Sequence, residues 1–230
     1  MADHIGIVGV SAEGAALCYK TICIEGERYL GQYDHPDVSM HTHSLGRYMQ
    51  CINRGDWTGV ADLMLSSART LEKAGASFLI CPDNTVHQAF ADVESRSPLP
   101  WIHIAEPVAE EALARKFHRL ALTGTRWLVE SDVYPSRLTP RGVDYRRPAA
   151  ADRDEINRII FDELQYGVFN AGAVACFQRA IARMQADGCD AVVLGCTEIP
   201  LLMNDGNSPL PTLDSTRLLA RAALRRAVRA

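Results

Sequence analysis

Short apolar runs alternate with longer amphipathic stretches along the whole chain. The short runs are rich in β-branched residues and end at Gly or Pro, which is typical of buried strands. They span residues 5–10, 78–81, 101–104, 120–123 and 191–194. The stretches between them carry apolar residues at helical spacing and predict helices over residues 13–24, 57–74, 108–116, 152–164, 171–186 and 215–228. Strands that alternate with helices indicate a mainly parallel sheet covered on both faces, which is the α/β class.

An internal repeat indicates two similar halves. Residues 74–85 align without a gap on residues 187–198. Gly75 then falls on Gly188, and the apolar runs that follow coincide. We interpret the repeat as a duplication that gives two three-layer α/β lobes, related by a pseudo-two-fold axis with an active site in the cleft between them. The alternative is chance similarity between two βα units.

The two predicted lobes are interleaved along the chain. The N-terminal lobe is expected to comprise residues 1–106 together with about 210–230, because Pro209 and Pro211 break the chain before the last helix. The C-terminal lobe is then 107–209.

The repeat superposes Asp83 on Cys196, and each of them follows a predicted strand. Ligands of parallel sheets bind beyond the carboxyl ends of the strands. Two acid/base groups in such a place could take a proton from one face of a carbon and return it to the other face. The alternatives are that Asp83 is a helix N-cap and that Cys196 is a small apolar core residue.

Short polar residues near the same strand ends are candidate ligands for a carboxylate. Asn84, Thr85 and Thr197 precede predicted helices, whose N-termini bind anions. Ser11 and Thr125 hold equivalent positions after the first strand of each lobe. If these residues are not ligands, they are ordinary turn and cap residues.

Two residues close to Asp83 in the sequence also have titratable side chains, His87 and Cys81. His87 lies one helical turn further on, where it is either a proton shuttle or a hydrogen-bonded structural residue. Cys81 is expected to pack in the core and to point away from the side of Asp83.

Charge and composition argue against several other functions. The chain has 24 basic and 28 acidic residues, and this net charge of -4 gives no basic field for nucleic acid. No apolar run approaches the ~18 residues of a membrane span. Seven cysteines without a CxxC pair or a secretion signal indicate reduced thiols in a cytoplasmic compartment.

Neither a metal nor an organic cofactor is expected. His41 and His43 lack the further ligands that a zinc site needs. The glycines after the first strand match neither a dinucleotide fingerprint nor a P-loop. The lysines all lie in predicted helices, which disfavours a pyridoxal Schiff base: Lys20, Lys73 and Lys116.

Five segments resemble the cofactor-independent aspartate/glutamate racemase superfamily. They are Ile5-Gly-Ile-Val-Gly, Asn84-Thr-Val-His, Leu122-Thr-Gly-Thr, Ile159-Ile-Phe-Asp-Glu and Gly195-Cys-Thr-Glu-Ile-Pro-Leu-Leu, of which the last is the most specific. The resemblance implies two α/β lobes, a cysteine from each lobe flanking the substrate Cα, two-base racemisation without pyridoxal, and a homodimer.

The sequence departs from this superfamily at two positions. Asp83 stands where the first cysteine is expected, and Gln165 stands where aspartate racemases typically carry a lysine for the distal carboxylate. Arg47 could supply that positive charge as a bidentate clamp, or it could be a surface residue.

The resulting hypothesis is an amino-acid racemase for aspartate, glutamate or a related acidic amino acid. Cys196 is expected to deprotonate the L substrate and Asp83 the D substrate. Seven residues are expected to bind substrate: Ser11, Arg47, Asn84, Thr85, Thr125, Thr197 and Glu198. The alternatives are a single-cysteine lyase or decarboxylase of the same superfamily and a non-catalytic ligand-binding homologue.

Overall fold

The computed structural model describes residues 2–229, which form two compact units. Unit 1 extends to Ile104 and resumes at Thr216, and unit 2 is Ala105–Ser215. The strands are β1 (Ile5–Gly9), β2 (Val38–Thr42), β3 (Phe78–Ile80), β4 (Trp101–Ile102), β5 (Arg119–Thr123), β6 (Asp144–Arg146), β7 (Ala191–Leu194) and β8 (Thr212–Asp214). The helices are α1 (Ala12–Leu30), α2 (Leu45–Ile52), α3 (Trp57–Lys73), α4 (Phe90–Arg96), α5 (Ala105–Ala114), α6 (Arg126–Glu130), α7 (Pro135–Leu138), α8 (Ala150–Asp162), α9 (Ala171–Ala186), α10 (Ile199–Leu202) and α11 (Ser215–Ala227).

Each unit holds a four-stranded parallel sheet, and the two sheets have the same topology. The strand order is β2-β1-β3-β4 in unit 1 and β6-β5-β7-β8 in unit 2. Gly75 and Gly188, which the repeat aligns, both adopt a positive φ, of 90° and 87°, just before the third strand of their sheet. The α/β class predicted from the sequence is confirmed, and the common topology supports the duplication.

The core of unit 1 explains why the last helix returns to it. Ile5 and Ile7 of β1 lie in register with Phe78 and Ile80 of β3. These four buried side chains form one cluster with α1 and with α11, where Leu219 is fully buried. α3 contacts β1 and β2 and contributes no residue to that cluster, so the sheet is covered on both faces.

The buried cluster of unit 2 is formed by α8 and α9, which precede β7 in the chain. Ile156 and Ile160 of α8 and Phe177 of α9 are buried against Val192 and Leu194 of β7. β7 lies inside the sheet because it pairs with β5 on one side and with β8 on the other.

Several predicted elements were wrong in extent or were missed. The strand predicted over 101–104 is only Trp101–Ile102, and the helix predicted over 108–116 ends at Ala114, because Lys116 takes a positive φ of 60°. Strands β2, β6 and β8 were not predicted, since none is a continuous apolar run: most of their positions are half-buried or exposed. Within residues 2–229, no helix is both long and apolar enough to cross a membrane.

Candidate active site

In unit 1, Asp83 lies just beyond the carboxyl end of β3 in a tight polar turn. Its Oδ1 accepts a hydrogen bond from the Val86 backbone N–H at 3.3 Å. Asn84 and Thr85 follow it and are buried, and a short 3-10 helix runs over Thr85–Ala89. Asp83 therefore does have the helix-capping contact, while its side chain stays half-buried.

His87 holds the backbone of this turn. Its Nδ1 donates to the Asp83 carbonyl at 2.7 Å, and its Nε2 accepts from the Ile104 backbone N–H at 3.2 Å. Because one nitrogen must donate and the other must accept, these bonds select the neutral tautomer protonated at Nδ1. The ring is 3% exposed and stacks on Phe90. This geometry favours the structural interpretation of His87 over the proton shuttle.

Cys81 packs in the core, as expected, but it does not point away from Asp83. Its thiol is fully buried, and the Asp83 backbone N–H lies near enough to oppose a rise in the thiol pKa. Burial, and next the nearby Asp83 charge, raise the pKa of the Cys81 thiol well above its usual value. The predicted direction was wrong because residues two apart lie on the same face of an extended segment.

Tyr48 of α2 is a neighbour of Asp83 that sequence reasoning missed. Its side chain is fully buried, and its hydroxyl has no hydrogen-bond partner among the described residues. Ser67 lies close enough to Tyr48 to lower the pKa of Tyr48, but it does not meet hydrogen-bonding geometry with the Tyr48 hydroxyl. The Ser67 hydroxyl is hydrogen-bonded to His41 Nδ1 instead. Burial first, then Cys81 and Asp83, raise that pKa far above its usual value, so Tyr48 remains a neutral donor.

Ser11 and Arg47 are the other predicted residues of unit 1, and they belong to different elements. Ser11 follows β1 and caps α1, where its hydroxyl accepts from the Gly14 N–H at 3.2 Å. Arg47 is exposed on α2, and its Nη1 lies 3.0 Å from His43 Nδ1. Arg47 lines a surface pocket of about 240 Å³ between α2 and α3, which Asp62 also lines.

In unit 2, two glycines allow the ends of β5 and β7 to approach each other closely. Gly195 N–H donates to the Thr123 carbonyl at 2.9 Å, and a Cβ on Gly195 would lie 2.5 Å from that same oxygen. Gly124 has a φ of +153°, and a Cβ there would lie 2.9 Å from the Gly195 carbonyl. The Gly-Cys junction therefore needs glycine for steric reasons, and it fixes where the next residue begins.

Cys196 follows this junction and is 7% exposed. Its Sγ donates to Glu198 Oε2 at 2.9 Å, and the Thr197 hydroxyl donates to the same oxygen at 2.9 Å. The Gln165 amide lies 3.4 Å from Glu198 Oε1. Glu198 itself is 2% exposed, directly before α10. The structure thus joins the thiol, Thr197 and Glu198 in one buried cluster.

Thr125 caps α6 at the neighbouring strand end. Its hydroxyl accepts from the Leu128 N–H at 3.2 Å, and its side chain is buried. In unit 2 the predicted residues therefore gather at the carboxyl ends of β5 and β7, which are paired strands. Among residues 2–229, no group of three or more His, Cys, Asp or Glu side chains is placed to hold a metal ion.

A family model for Asp/Glu/Hydantoin racemases matches residues 7–223. The chain belongs to the Asp/Glu/Hydantoin racemase family. The resemblance seen in the five sequence segments is confirmed by this match, which covers both units.

Two solved structures share the fold of this racemase-family chain over nearly its full length. A Yersinia pestis protein described as a candidate Asp/Glu racemase is 30% identical, covers 98% of this chain and 99% of its own, and has a TM-score of 0.89. An aspartate racemase homologue from Pyrococcus horikoshii OT3 is 28% identical, covers 99% of both chains and has a TM-score of 0.84. A broad specificity amino-acid racemase from Bacillus subtilis (strain 168) is 20% identical over 70% of this chain and 69% of its own.

Proposed function

We propose that this racemase-family chain is a cofactor-independent amino-acid racemase acting on aspartate, glutamate or a related acidic amino acid. The observation that carries the proposal is the buried Cys196 thiol at the carboxyl end of β7, held by a hydrogen bond to Glu198. Such a thiol is placed for acid/base work at the edge of the sheet where ligands bind. Relatives that are racemases support the reaction type.

The reaction we propose uses two different acid/base groups, one on each face of the Cα. Cys196 removes it from the L substrate and Asp83 removes it from the D substrate, each on its own face of the Cα. After one base has taken the proton, the other delivers its own proton to the opposite face. This scheme requires both side chains to bind one substrate, an arrangement that the resemblance implies.

Hydrogen-bond donors hold the substrate carboxylate in this scheme. Asn84, Thr85, Thr125 and Thr197 are all buried near strand ends, with hydroxyl, amide and backbone N–H groups. Charge grows on the carboxylate as the α-proton leaves, and such fixed donors stabilise it. The substrate-binding group that we propose also includes Ser11 and Glu198, and Glu198 belongs to it as a hydrogen-bond acceptor and not as a donor to the carboxylate. We assign Arg47 to the distal carboxylate.

The test is to incubate the protein in D₂O with L- and D-amino acids that include aspartate and glutamate. The Cα proton is followed by NMR, and the enantiomers are separated by chiral chromatography. Loss of the proton signal together with appearance of the opposite enantiomer supports the racemase and identifies its substrate. Absence of both for every amino acid tested contradicts it.

A second candidate function is a single-cysteine lyase or decarboxylase. It is favoured by Asp83, which stands where the superfamily is expected to have its first cysteine. This reaction changes the mass of the substrate, whereas racemisation does not, so mass spectrometry of the same incubations separates the two. Ligand-dependent stabilisation without any turnover would indicate a binding homologue. We also propose a homodimer, which light scattering on the purified chain tests.

A further inference from the structure

The carboxyl group of Glu198 has an unusual set of partners. Its side chain is 2% exposed, and no lysine or arginine forms an ion pair with it within residues 2–229. A buried carboxylate is costly unless it is paired with a cation or fully hydrogen-bonded. Here the donors are all neutral: the Cys196 thiol, the Thr197 hydroxyl and the Gln165 amide.

We propose that Glu198 accepts the proton of Cys196 and thereby generates the thiolate. Oε2 lies 2.9 Å from Sγ, so the proton can pass directly between them. The S–H bond breaks, its electron pair stays on sulfur, and an O–H bond forms at Oε2. Because the proton remains within the pair, the total charge of the buried pair stays at one negative charge.

The alternative route to a thiolate is less favourable in this place. Loss of the thiol proton to solvent would leave two negative charges next to each other in a buried cluster. Two negative charges 2.9 Å apart repel each other strongly, so a state in which both groups are ionised is disfavoured. Transfer to Glu198 avoids the second charge.

Thr197 and Gln165 favour the ionised form of Glu198, which is the form that can accept a proton. The Thr197 hydroxyl donates to the oxygen that faces the thiol, and the Gln165 amide donates to the other oxygen. Both hydrogen bonds stabilise the carboxylate, but a neutral donor opposes protonation of Glu198 less than a lysine or arginine would. A lysine at position 165 would oppose that uptake with its positive charge.

The part that Glu198 plays in turnover rests on the proposed function, whereas the proton transfer from Cys196 to Glu198 does not. In the L direction the thiolate takes the Cα proton, the S–H bond is restored, and the electron pair of the broken C–H bond spreads onto the substrate carboxylate. Asp83 then supplies a proton to the opposite face. Glu198 and Asp83 return to their starting forms by proton exchange with water. Glu198, already assigned to the binding group, gains a direct part in proton transfer.

The first experiment measures Cys196 itself and needs no substrate. Wild type and Glu198→Gln are treated with iodoacetamide between pH 5 and 10, and mass spectrometry follows the rate at the peptide that contains Cys196. Gln can accept a hydrogen bond but cannot hold the extra proton. We expect alkylation of Cys196 at pH 7 to be at least ~10-fold slower in Glu198→Gln, with its rise moved to higher pH, since only the thiolate reacts. An equal or faster rate in Glu198→Gln overturns the proposal.

Two further variants keep the test decisive. Glu198→Asp retains an acid that is one methylene shorter, and we expect its rate to lie between those of wild type and Glu198→Gln, so a misfolded Glu198→Gln does not end the test. Gln165→Lys is expected to slow alkylation as well; acceleration there contradicts the proposal. Circular dichroism checks that each variant is folded.

Turnover provides the second readout. If the racemase function holds, Glu198→Gln should lower kcat for the L substrate by about 10²–10⁴-fold, the usual range for a lost acid/base group, and change KM far less. If Glu198→Gln slows alkylation of Cys196 but the wild type racemises no amino acid, the proposed function is refuted and the proton transfer between Cys196 and Glu198 is supported. If the wild type racemises and Glu198→Gln leaves alkylation unchanged, the proposed function is supported and the proton transfer is refuted.

Discussion

At the scale of single residues, the two positions aligned by the repeat have different chemistry. Asp83 is half-buried, and its side chain is partly used by the Val86 N–H. Cys196 is buried and bonds to a carboxylate. The bases are therefore unequal in strength and in surroundings, and we expect a reaction whose two directions depend on different residues.

Cys196→Ala should abolish exchange of the L-substrate Cα proton, whereas Asp83→Ala should keep that exchange and lose exchange of the D substrate. The reason is that each base serves one face of the Cα. Exchange in D₂O of each enantiomer separately measures this. If Asp83→Ala loses L exchange while Cys196→Ala keeps it, the assignment of bases is reversed.

Tyr48→Phe should leave the free energy of unfolding unchanged or raise it by up to about 1 kcal/mol, because it removes a buried hydroxyl without a partner. The matched control is Tyr134→Phe, which removes a buried hydroxyl that bonds Ser215 and should cost about 1 kcal/mol. Urea unfolding measures both. A larger loss in Tyr48→Phe than in Tyr134→Phe would mean that the Tyr48 hydroxyl is hydrogen-bonded in solution.

At the scale of elements, strand ends and helix contacts place the candidate residues. The β5 and β7 ends meet through Gly124 and Gly195, and α11 is tied to α1 by an ion pair. Both features join segments that are far apart in sequence. A single substitution tests each of them.

Gly195→Ala should lower the free energy of unfolding by about 1–3 kcal/mol, because the new Cβ would lie 2.5 Å from the Thr123 carbonyl oxygen. Gly46→Ala is the control: its Cβ would meet only Ser44 Oγ at 3.5 Å, in a helix that alanine favours. Chemical denaturation compares the two variants, and equal stabilities would contradict the close approach of β5 and β7.

Glu25 and Arg221 link α1 to α11 through hydrogen bonds of 2.8–3.2 Å. Arg221 lowers the pKa of Glu25, with burial opposing it. A carboxyl whose folded pKa is lowered adds stability above its unfolded pKa and loses it as the pH falls through the folded value. Glu25→Gln should thus cost up to about 1 kcal/mol at pH 7 and almost nothing at pH 2. A cost that persists at pH 2 would point to lost packing instead.

At the scale of the whole molecule, the chain leaves unit 1 after Ile104 and returns to it at Thr216. α11 therefore completes a core whose strands lie near the other end of the sequence. Stability of unit 1 depends on residues that follow the whole of unit 2.

Leu219→Ala should cost about 2–5 kcal/mol in unit 1, because it opens a cavity beside β1 and β3. Hydrogen exchange should show lost protection in β1 and β3, with protection in β5 and β7 retained. Leu201→Ala, at a side chain that is 40% exposed, is the control. Equal loss of protection in both sheets would show that the two units unfold as one.

The sequence by itself determined the strands and helices whose pattern is strong. β1 and β7 are continuous apolar runs, and α9 has a clear apolar face, so their local pattern was sufficient. The thiol after a buried strand could be recognised for the same reason, and the family followed from Gly195-Cys-Thr-Glu and the matching segments.

The tertiary structure decided the rest. β2 and β8 are strands because β1 and β7 pair with them, which no local pattern reveals. Tyr48 lies near Asp83 because α2 packs inward, after a strand that was missed. The contact of Cys196 with Glu198 depends on the direction of two side chains within one turn. Such directions are set by packing between segments distant in sequence, and only the folded chain brings those segments together.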